Sequence, residues 1–469
     1  MLFTSPLFMF LFLPVAMCIY ILIPKAHRKN ALPFISCAFY AVACFKQPFA
    51  LILMAVMLIS THLWGKLILN RRSRNRVTTA VLTNLSIWLA LQVLYHMTDV
   101  SFIYPLGASI FIMASVSYII DIYRLDVETP VKFIDTLSYI SYFPVLVAGP
   151  IIKFKDFCRM RQNISVSMVN FSHGARLFAI GFVKQITVAA ILAQTFDKII
   201  QVIGNETNLM ISIALVITIY VISVFAFSGY SDMGIGISYM LGMPIEADYK
   251  NVFAACTVTE YRNGFMYSLS LWIDDYILYY MHRNNDSLSI KSRTLSQSLV
   301  LCAIFFLWFG VKPATLPALV IILILTSLDS ALNLKIVTKK SFLLRVFGRI
   351  ITFTAIGLFW YFSKIESLSQ LLNGLVKIFS VGQVSWNAVD IFSAISPLKI
   401  LIIAIIAIII YIPTLKISKN ICQKMSPRMN SAAEITYTVL VFGLFAISVI
   451  YFLPQFPQYA ASAFSNVVI

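Results

Sequence analysis

From Leu209 to Phe227 the chain carries no charged side chain, and apolar runs of the same kind recur along its length. A backbone inside such a run finds no water for its N–H and C=O groups, so it coils into helix and satisfies them internally. Composition agrees: 60% of residues are hydrophobic, 12% are charged, and mean hydropathy is +0.87. A soluble domain carries about twice that share of charge. The sequence therefore predicts an all-α integral membrane protein whose solvent is membrane lipid.

The net charge of +17 raises the question of nucleic acid, and the placement of charge answers it. Lys and Arg fall in short clusters between apolar runs: Lys25 to Lys29, Arg71 to Arg76, Lys153 to Arg161, Lys335 to Arg349 and Lys416 to Arg428. Such clusters orient a chain by the positive-inside rule and favour anionic headgroups. No basic groove with interleaved aromatics appears, so no nucleic-acid partner is expected. The seven cysteines contain no CxxC pair and sit mostly in apolar runs. They read as small buried hydrophobes, without a disulfide frame or metal site.

Leu7 to Leu22 is the first apolar run, with its basic residues behind it rather than ahead. That order opposes a signal peptide and predicts a retained helix with the N-terminus outside. Pro33 to Leu67 exceeds one span and should break at Lys46-Gln47-Pro48. Val77 to His96 and Pro105 to Ile122 follow as helices. Phe133 to Ile152 contains Pro144, Gly149 and Pro150, which predicts a broken, pocket-forming segment. Ala175 to Ile203 and Leu209 to Phe227 come next, the first interrupted by Lys184, which should face protein or water. Gly229 to Thr294 offers no clean span. Ser296 to Phe309, Leu316 to Leu332, Ile350 to Phe362, Ile400 to Ile412 and Val439 to Leu453 bring the expectation to roughly eleven transmembrane or re-entrant helices. Leu368 to Val381 reads as an amphipathic helix at the outer interface. Loops at 24–30, 70–77, 153–173, 335–346 and 414–432 would face the cytoplasm. Residues 1–469 read as one polytopic domain, with no inverted repeat of the transporter kind.

Polar and small residues accumulate from Ser228 to Gly310, where an apolar chain needs a reason to keep them. Tyr104-Pro105-Leu106-Gly107-Ala108-Ser109 precedes Ser117-Tyr118-Ile119-Ile120-Asp121-Ile122-Tyr123-Arg124, then Tyr142-Phe143-Pro144 with Gly149-Pro150-Ile151. Ser228-Gly229-Tyr230-Ser231-Asp232-Met233 and Ser268-Leu269-Ser270-Leu271-Trp272, with Asp275-Tyr276, complete the order. This succession resembles the membrane-bound O-acyltransferase family, in its bacterial branch of alginate O-acetylase and teichoic-acid D-alanyl transferase. The likeness covers a core of about 104–310, with peripheral helices at 1–98 and 314–455. It implies tilted helices around a central tunnel, an acyl donor entering from the cytoplasm, and a hydroxyl acceptor on an extracytoplasmic polysaccharide or cell-envelope glycan.

Two family histidines are replaced. Met266 stands where W-R-R-W-H-x-S-L-S places the first, Asp274 stands where an arginine is usual, and Phe309 in Leu307-Trp308-Phe309-Gly310 takes the place of the second. An imidazole titrating near neutrality suits the proton transfer of acyl transfer, and a positioned base contributes about 10²–10⁴-fold. Met266 and Phe309 offer none. Asp275 and His282 are the substitute bases to consider, with Glu260 behind them. The cations that follow at Arg283, Lys291 and Arg293 favour reading His282 as an interfacial or cytoplasmic loop histidine. Asp232, Ser268, Ser270, Trp272, Tyr276 and Trp308 would scaffold the tunnel and acyl site, Asp232 having a helix-capping alternative. Lys153, Lys155 and Arg159 could meet the phosphates of acyl-coenzyme A, acetyl-coenzyme A being the simplest; they could also serve only as orienting charges. No bound cofactor is expected.

Three readings follow. The chain is an O-acyltransferase of the bacterial inner membrane, working with a secreted or membrane-anchored transferase partner. Alternatively, it is an inactive relative that scaffolds an envelope-modifying complex. A transporter of a lipid-linked or acyl intermediate is the third.

Overall fold

The computed structural model describes residues 2–45, 47–98, 106–128, 130–203, 209–279, 290–308, 313–332, 341–365 and 427–452, with isolated residues at 369, 405–407, 409–410 and 454. Among these residues every regular element is helical. Among the described residues, five helices are long and apolar enough to cross a bilayer: Pro48–Asn70, Met168–Ile200, Ser212–Met240, Phe342–Phe362 and Ser431–Ile450. Shorter apolar helices cover Leu7–Leu22, Ser292–Phe306 and Leu316–Leu332. The protein is an all-α integral membrane protein. The expected helices at Leu368 to Val381 and Ile400 to Ile412 lie wholly or mostly outside the described residues.

Leu209–Met240 and Met168–Val183 form the centre, and small residues decide how closely they meet. A Cβ added at Gly181 would overlap the Gly229 carbonyl oxygen, and one at Gly174 would overlap that of Gly236. Backbone therefore touches backbone at two levels, the close approach that glycine permits between membrane helices. Gly234 on the opposite side leaves room for the Pro144 carbonyl. That contact seats the broken segment, which runs as Phe133–Ile140, then Phe143–Leu146, then non-helical backbone from Val147, as Pro144 and Gly149-Pro150 predict.

Several boundaries differ from expectation. Phe342–Phe362 and Pro427–Ile447 start well before Ile350 and Val439, and the expected loop 153–173 contains the helix Phe154–Gln162. Two further differences have a clear cause. The basic stretch at 24–30 is mostly helix, because Lys25–Ala43 starts at the cluster and carries Pro33 inside it. Leu209–Met240 does not stop at Phe227 but continues through Ser228 to Met233 and beyond. The physical reason is pairing: Asp232, the charge that suggested an exit from the membrane, meets Lys184 at 2.5 Å. Lys184 itself opens a π-helical turn, Lys184–Ala189, that joins Met168–Val183 to Ala190–Ile203. The single helix expected over Ala175 to Ile203 is thus bulged at Lys184, a distortion common at functional positions.

Candidate functional site

Helical spacing builds the first layer of the site. Ser117 and Asp121 lie one turn apart on Ala108–Arg124, and Trp272 and Tyr276 lie one turn apart on Tyr267–Ile273 and its continuation Asp274–Leu278. Trp272 Nε1 donates to Ser117 Oγ at 2.7 Å, and the Tyr276 hydroxyl donates to the Asp121 carboxyl at 2.8 and 2.9 Å. Two pairs at i,i+4 interlock, as neighbours on one helical face can. Asp121 also accepts the Lys155 backbone N–H at 2.9 Å, which ties the start of Phe154–Gln162 to the same point.

The charged layer lies just beyond. Lys153 Nζ donates to Asp275 Oδ2 at 2.5 Å; Lys155 lies 3.2 Å from the same oxygen and 3.8 Å from Asp126. Arg124 donates to the Asp275 carbonyl at 2.7 Å and stacks over the Tyr279 ring at 4.7 Å. Burial would raise the proton affinity of Asp275, but the Lys153 hydrogen bond and the Lys153 and Lys155 charges outweigh it and bring it below its ordinary value. Burial would likewise lower Lys155, and the Asp275 charge reverses that, so Lys155 holds its proton more firmly than usual. Asp275, considered as a substitute base, is placed as the counter-ion of two lysines and is a poor proton acceptor. Arg159 does not join this layer: it is exposed and pairs with Asp156 at 3.6 Å.

Ser268 sits where the broken segment meets the motif helix. The Ile151 N–H donates to Ser268 Oγ at 2.9 Å, and the Ser268 N–H donates to Asp248 Oδ1 at 2.6 Å. Asp248 is 2% exposed, and burial pushes its carboxyl up to about 6, against the pull of the Ser268 hydrogen bonds and Lys250. This carboxyl does local work. Tyr267–Ile273 begins at Met266, whose thioether cannot cap a helix, and the loop supplies Asp248 to take an N–H of the first turn instead. Met266 itself is left-handed, at φ +52° and ψ +57°, a region that disfavours side chains.

Ser270 is buried and donates to the Arg262 carbonyl at 3.4 Å. Arg262 reaches Ser298 Oγ at 2.6 Å and the Thr294 carbonyl at 3.2 Å, beside a small apolar cavity of about 30 Å³ lined by Phe265, Leu301, Phe359 and Trp360. Asp274 accepts from Gln297 at 2.8 Å. Asp232 stays with Lys184 inside a helix, so it caps nothing, and it is near enough to raise Asp248. Trp308 closes the helix Ile290–Trp308. His282 and Phe309 lie outside the described residues.

The site thus brings together Lys153, Lys155, Ser268, Trp272, Asp275 and Tyr276. Sequence reasoning missed Asp248 and Arg262. For Asp248 the available signal was a carboxylate between Glu246 and Lys250 just past a long apolar run.

Residues 76–277, which contain all of these except Arg262's cavity wall, match the membrane-bound O-acyltransferase family. The probable alginate O-acetylase AlgI of Pseudomonas fluorescens is 30% identical over 323 residues, covering 66% of this chain and 62% of that protein. The chain therefore spans less than two thirds of that relative's length. The peptidoglycan O-acetyltransferase of Helicobacter pylori is 25% identical over 449 residues, covering 81% of each. The teichoic acid D-alanyltransferase of Bacillus subtilis is 22% identical over 191 residues, 38% of this chain and 46% of that one. With this matched segment folded into one interlocked site, residues 76–277 place the chain in the membrane-bound O-acyltransferase family, in the branch of these relatives.

Proposed function

We propose that the chain is an O-acyltransferase of the bacterial inner membrane, moving an acyl group, acetyl as the simplest, from acyl-coenzyme A to a hydroxyl of an extracytoplasmic polysaccharide or other cell-envelope glycan. The observation that carries this reading is the interlock of Ser117–Trp272 and Asp121–Tyr276, which fixes the motif helix, and Ser268 on it, against the broken segment. The acetylase names of the relatives support the acetyl donor and the glycan acceptor. Lys153 and Lys155 suit the donor's phosphates: they are partly buried, adjacent, and share one carboxylate that an incoming pyrophosphate would partly replace. A secreted or membrane-anchored transferase partner would work beside it.

Transfer joins the acceptor oxygen to the thioester carbonyl carbon, releases the coenzyme thiolate, and moves one proton from acceptor to thiolate. Orientation by a fixed site supplies part of the acceleration, and a group that accepts the proton supplies more.

The test is thiol release from acetyl-coenzyme A by the full chain in lipid nanodiscs, with and without an alginate oligosaccharide as acceptor probe. Acceptor-dependent release above the buffer rate is the expected result. Release at the buffer rate sinks this reading. A second reading has its own observation: Met266 and Phe309, which we take to replace the two histidines of the family motif, offer no base. Loss of envelope acylation on deletion of the gene, without turnover by the purified chain, is what a scaffold of another acylating protein would give.

A further inference from the structure

Lys153 and Lys155 pair with Asp275, and Lys184 pairs with Asp232. Arg262 is different. It is only 7% exposed, and among the described residues no carboxylate lies within ion-pair distance of it. Asp274 and Asp329 sense its charge but are engaged elsewhere. Asp274 accepts from Gln297 at 2.8 Å, and Asp329 accepts from the N–H and the hydroxyl of Thr259 at 3.1 Å each. Burial outweighs the pull of Asp274, Cys302 and Asp329 and brings Arg262 down to about 10, so it stays charged at neutral pH. A buried charge without a counter-ion is costly.

Every hydrogen bond that Arg262 makes with its guanidinium among these residues ends on a neutral oxygen. Nη1 donates to Ser298 Oγ at 2.6 Å and to the Thr294 carbonyl at 3.2 Å, and Ser298 gives its own proton to that carbonyl at 2.9 Å. Nε and Nη2 share the Asn263 side-chain oxygen at 3.4 and 3.3 Å. A guanidinium carries five N–H groups, so one on Nη2 is left over. Space lies beside it. The cavity of about 30 Å³ sits where Val258–Gly264 meets Ile290–Trp308, Leu316–Leu332 and Phe342–Phe362, and both Arg262 and Ser298 line it. One water needs roughly 10–15 Å³ and two to four polar partners. This space therefore takes a group of about two or three heavy atoms, and no chain. Most of its wall is apolar, with Leu301, Ile322, Ile356 and Phe359 facing the one cation.

We propose that this cavity binds one compact monovalent anion, a halide or a two-carbon carboxylate such as acetate, paired with the Arg262 guanidinium. Such an ion has little hydration to lose, rests against apolar side chains, and supplies the charge-assisted bond that the neutral oxygens cannot. The site goes beyond the acyl-transfer reading and does not depend on it. Its occupancy would be felt at the motif helix, because the Arg262 carbonyl accepts the Ser270 hydroxyl at 3.4 Å.

The test is thermal unfolding of the full chain in lipid nanodiscs, in sodium gluconate of constant ionic strength with chloride or acetate exchanged in. Gluconate is too large for the cavity and serves as the background. An ion that fits should raise the melting temperature along a saturating curve, by at least ~2 °C. A rise with chloride alone identifies a halide site, and a rise with acetate alone a carboxylate site; either supports the proposal. Hexanoate, which is too long, should give no rise. Arg262→Gln removes the charge, and Leu301→Phe fills the cavity while leaving the charge and its bonds in place. Both should abolish the rise, and if Arg262→Gln does not fold, Leu301→Phe decides alone. No rise with either ion in the wild type overturns the site and leaves Arg262 as a tie between two helices. A rise that survives in Leu301→Phe overturns it too, because the ion then acts elsewhere.

Discussion

At the scale of single residues, the two interlocking hydrogen bonds are not equal. Trp272→Phe removes the donor to Ser117 Oγ, but that hydroxyl still has the Met113 carbonyl for its own proton, so the expected cost is about 1 kcal/mol. Tyr276→Phe takes the hydroxyl from a buried carboxyl and should cost about 2 kcal/mol. Thermal unfolding of the two variants in one detergent checks the order; equal losses would show that the Asp121 carboxyl finds another donor. Asp275 gives a pH prediction. Its native proton affinity is lowered, so its contribution is fully present above the ordinary carboxylate range and is lost only as pH falls below it. Neutralising it with Asp275→Asn should weaken the acid limb of stability, read as thermal melts across pH. An unchanged limb would show that the pairing with Lys153 and Lys155 contributes nothing. The pairing partners at this scale were half legible. Ser117, Asp121, Trp272 and Tyr276 are visible as motif residues, and their i,i+4 spacing places them on single faces. Asp248 was not legible, because its significance comes from a loop folding back on a helix whose own start has no capping oxygen.

Among the elements, Leu209–Met240 shows where hydropathy misleads. Polar residues from Ser228 onward look like the end of a span, yet the helix runs on because each polar group has a purpose there: Gly229 and Gly236 for contact, Asp232 for Lys184, Ser238 for the Tyr142 hydroxyl at 2.6 Å. The pairing predicts an asymmetric mutational response. Lys184→Met alone leaves Asp232 buried without its cation and should cost about 3–5 kcal/mol, while Lys184→Met with Asp232→Leu should recover most of that. Thermal melts of the two proteins decide it, and a double variant no better than the single would mean the pair is not the issue. Breaks caused by proline were read correctly at Lys46-Gln47-Pro48 and at Pro144, since a missing N–H acts locally. The π-helical turn at Lys184–Ala189 was not, since it follows from a partner on another helix.

For the whole molecule, basic residues that are distant in sequence gather together. Arg161 donates to the Lys29 carbonyl at 3.2 Å, Arg72 to the Tyr123 carbonyl, and Arg124 to that of Asp275. Clusters at 25–29, 71–76 and 153–161 therefore share one face, the arrangement that the positive-inside rule assigns to the cytoplasm. Cysteines placed at Arg72 and Arg159 should both react with an impermeant maleimide only in inverted vesicles. Labelling of one in intact cells would break the assignment.

The backbone contact between Met168–Val183 and Leu209–Met240 has a mechanical consequence. Two helices that touch at Gly174–Gly236 and Gly181–Gly229 can neither approach further nor bend apart at one end without losing contact along the rest. They act as a stiff spar, and the broken segment is clipped to it at Gly234. Compliance must then lie in the outer wall, where the windows of Phe342–Phe362 and Ser431–Ile450 are only 28% and 11% buried within the protein. Spin labels across the glycine pair should give a narrow distance distribution, and labels from Ser431–Ile450 to the spar a broad one. On that division, substrates that arrive through the membrane would enter by displacing a wall while the spar, and the geometry at Ser268, holds its place.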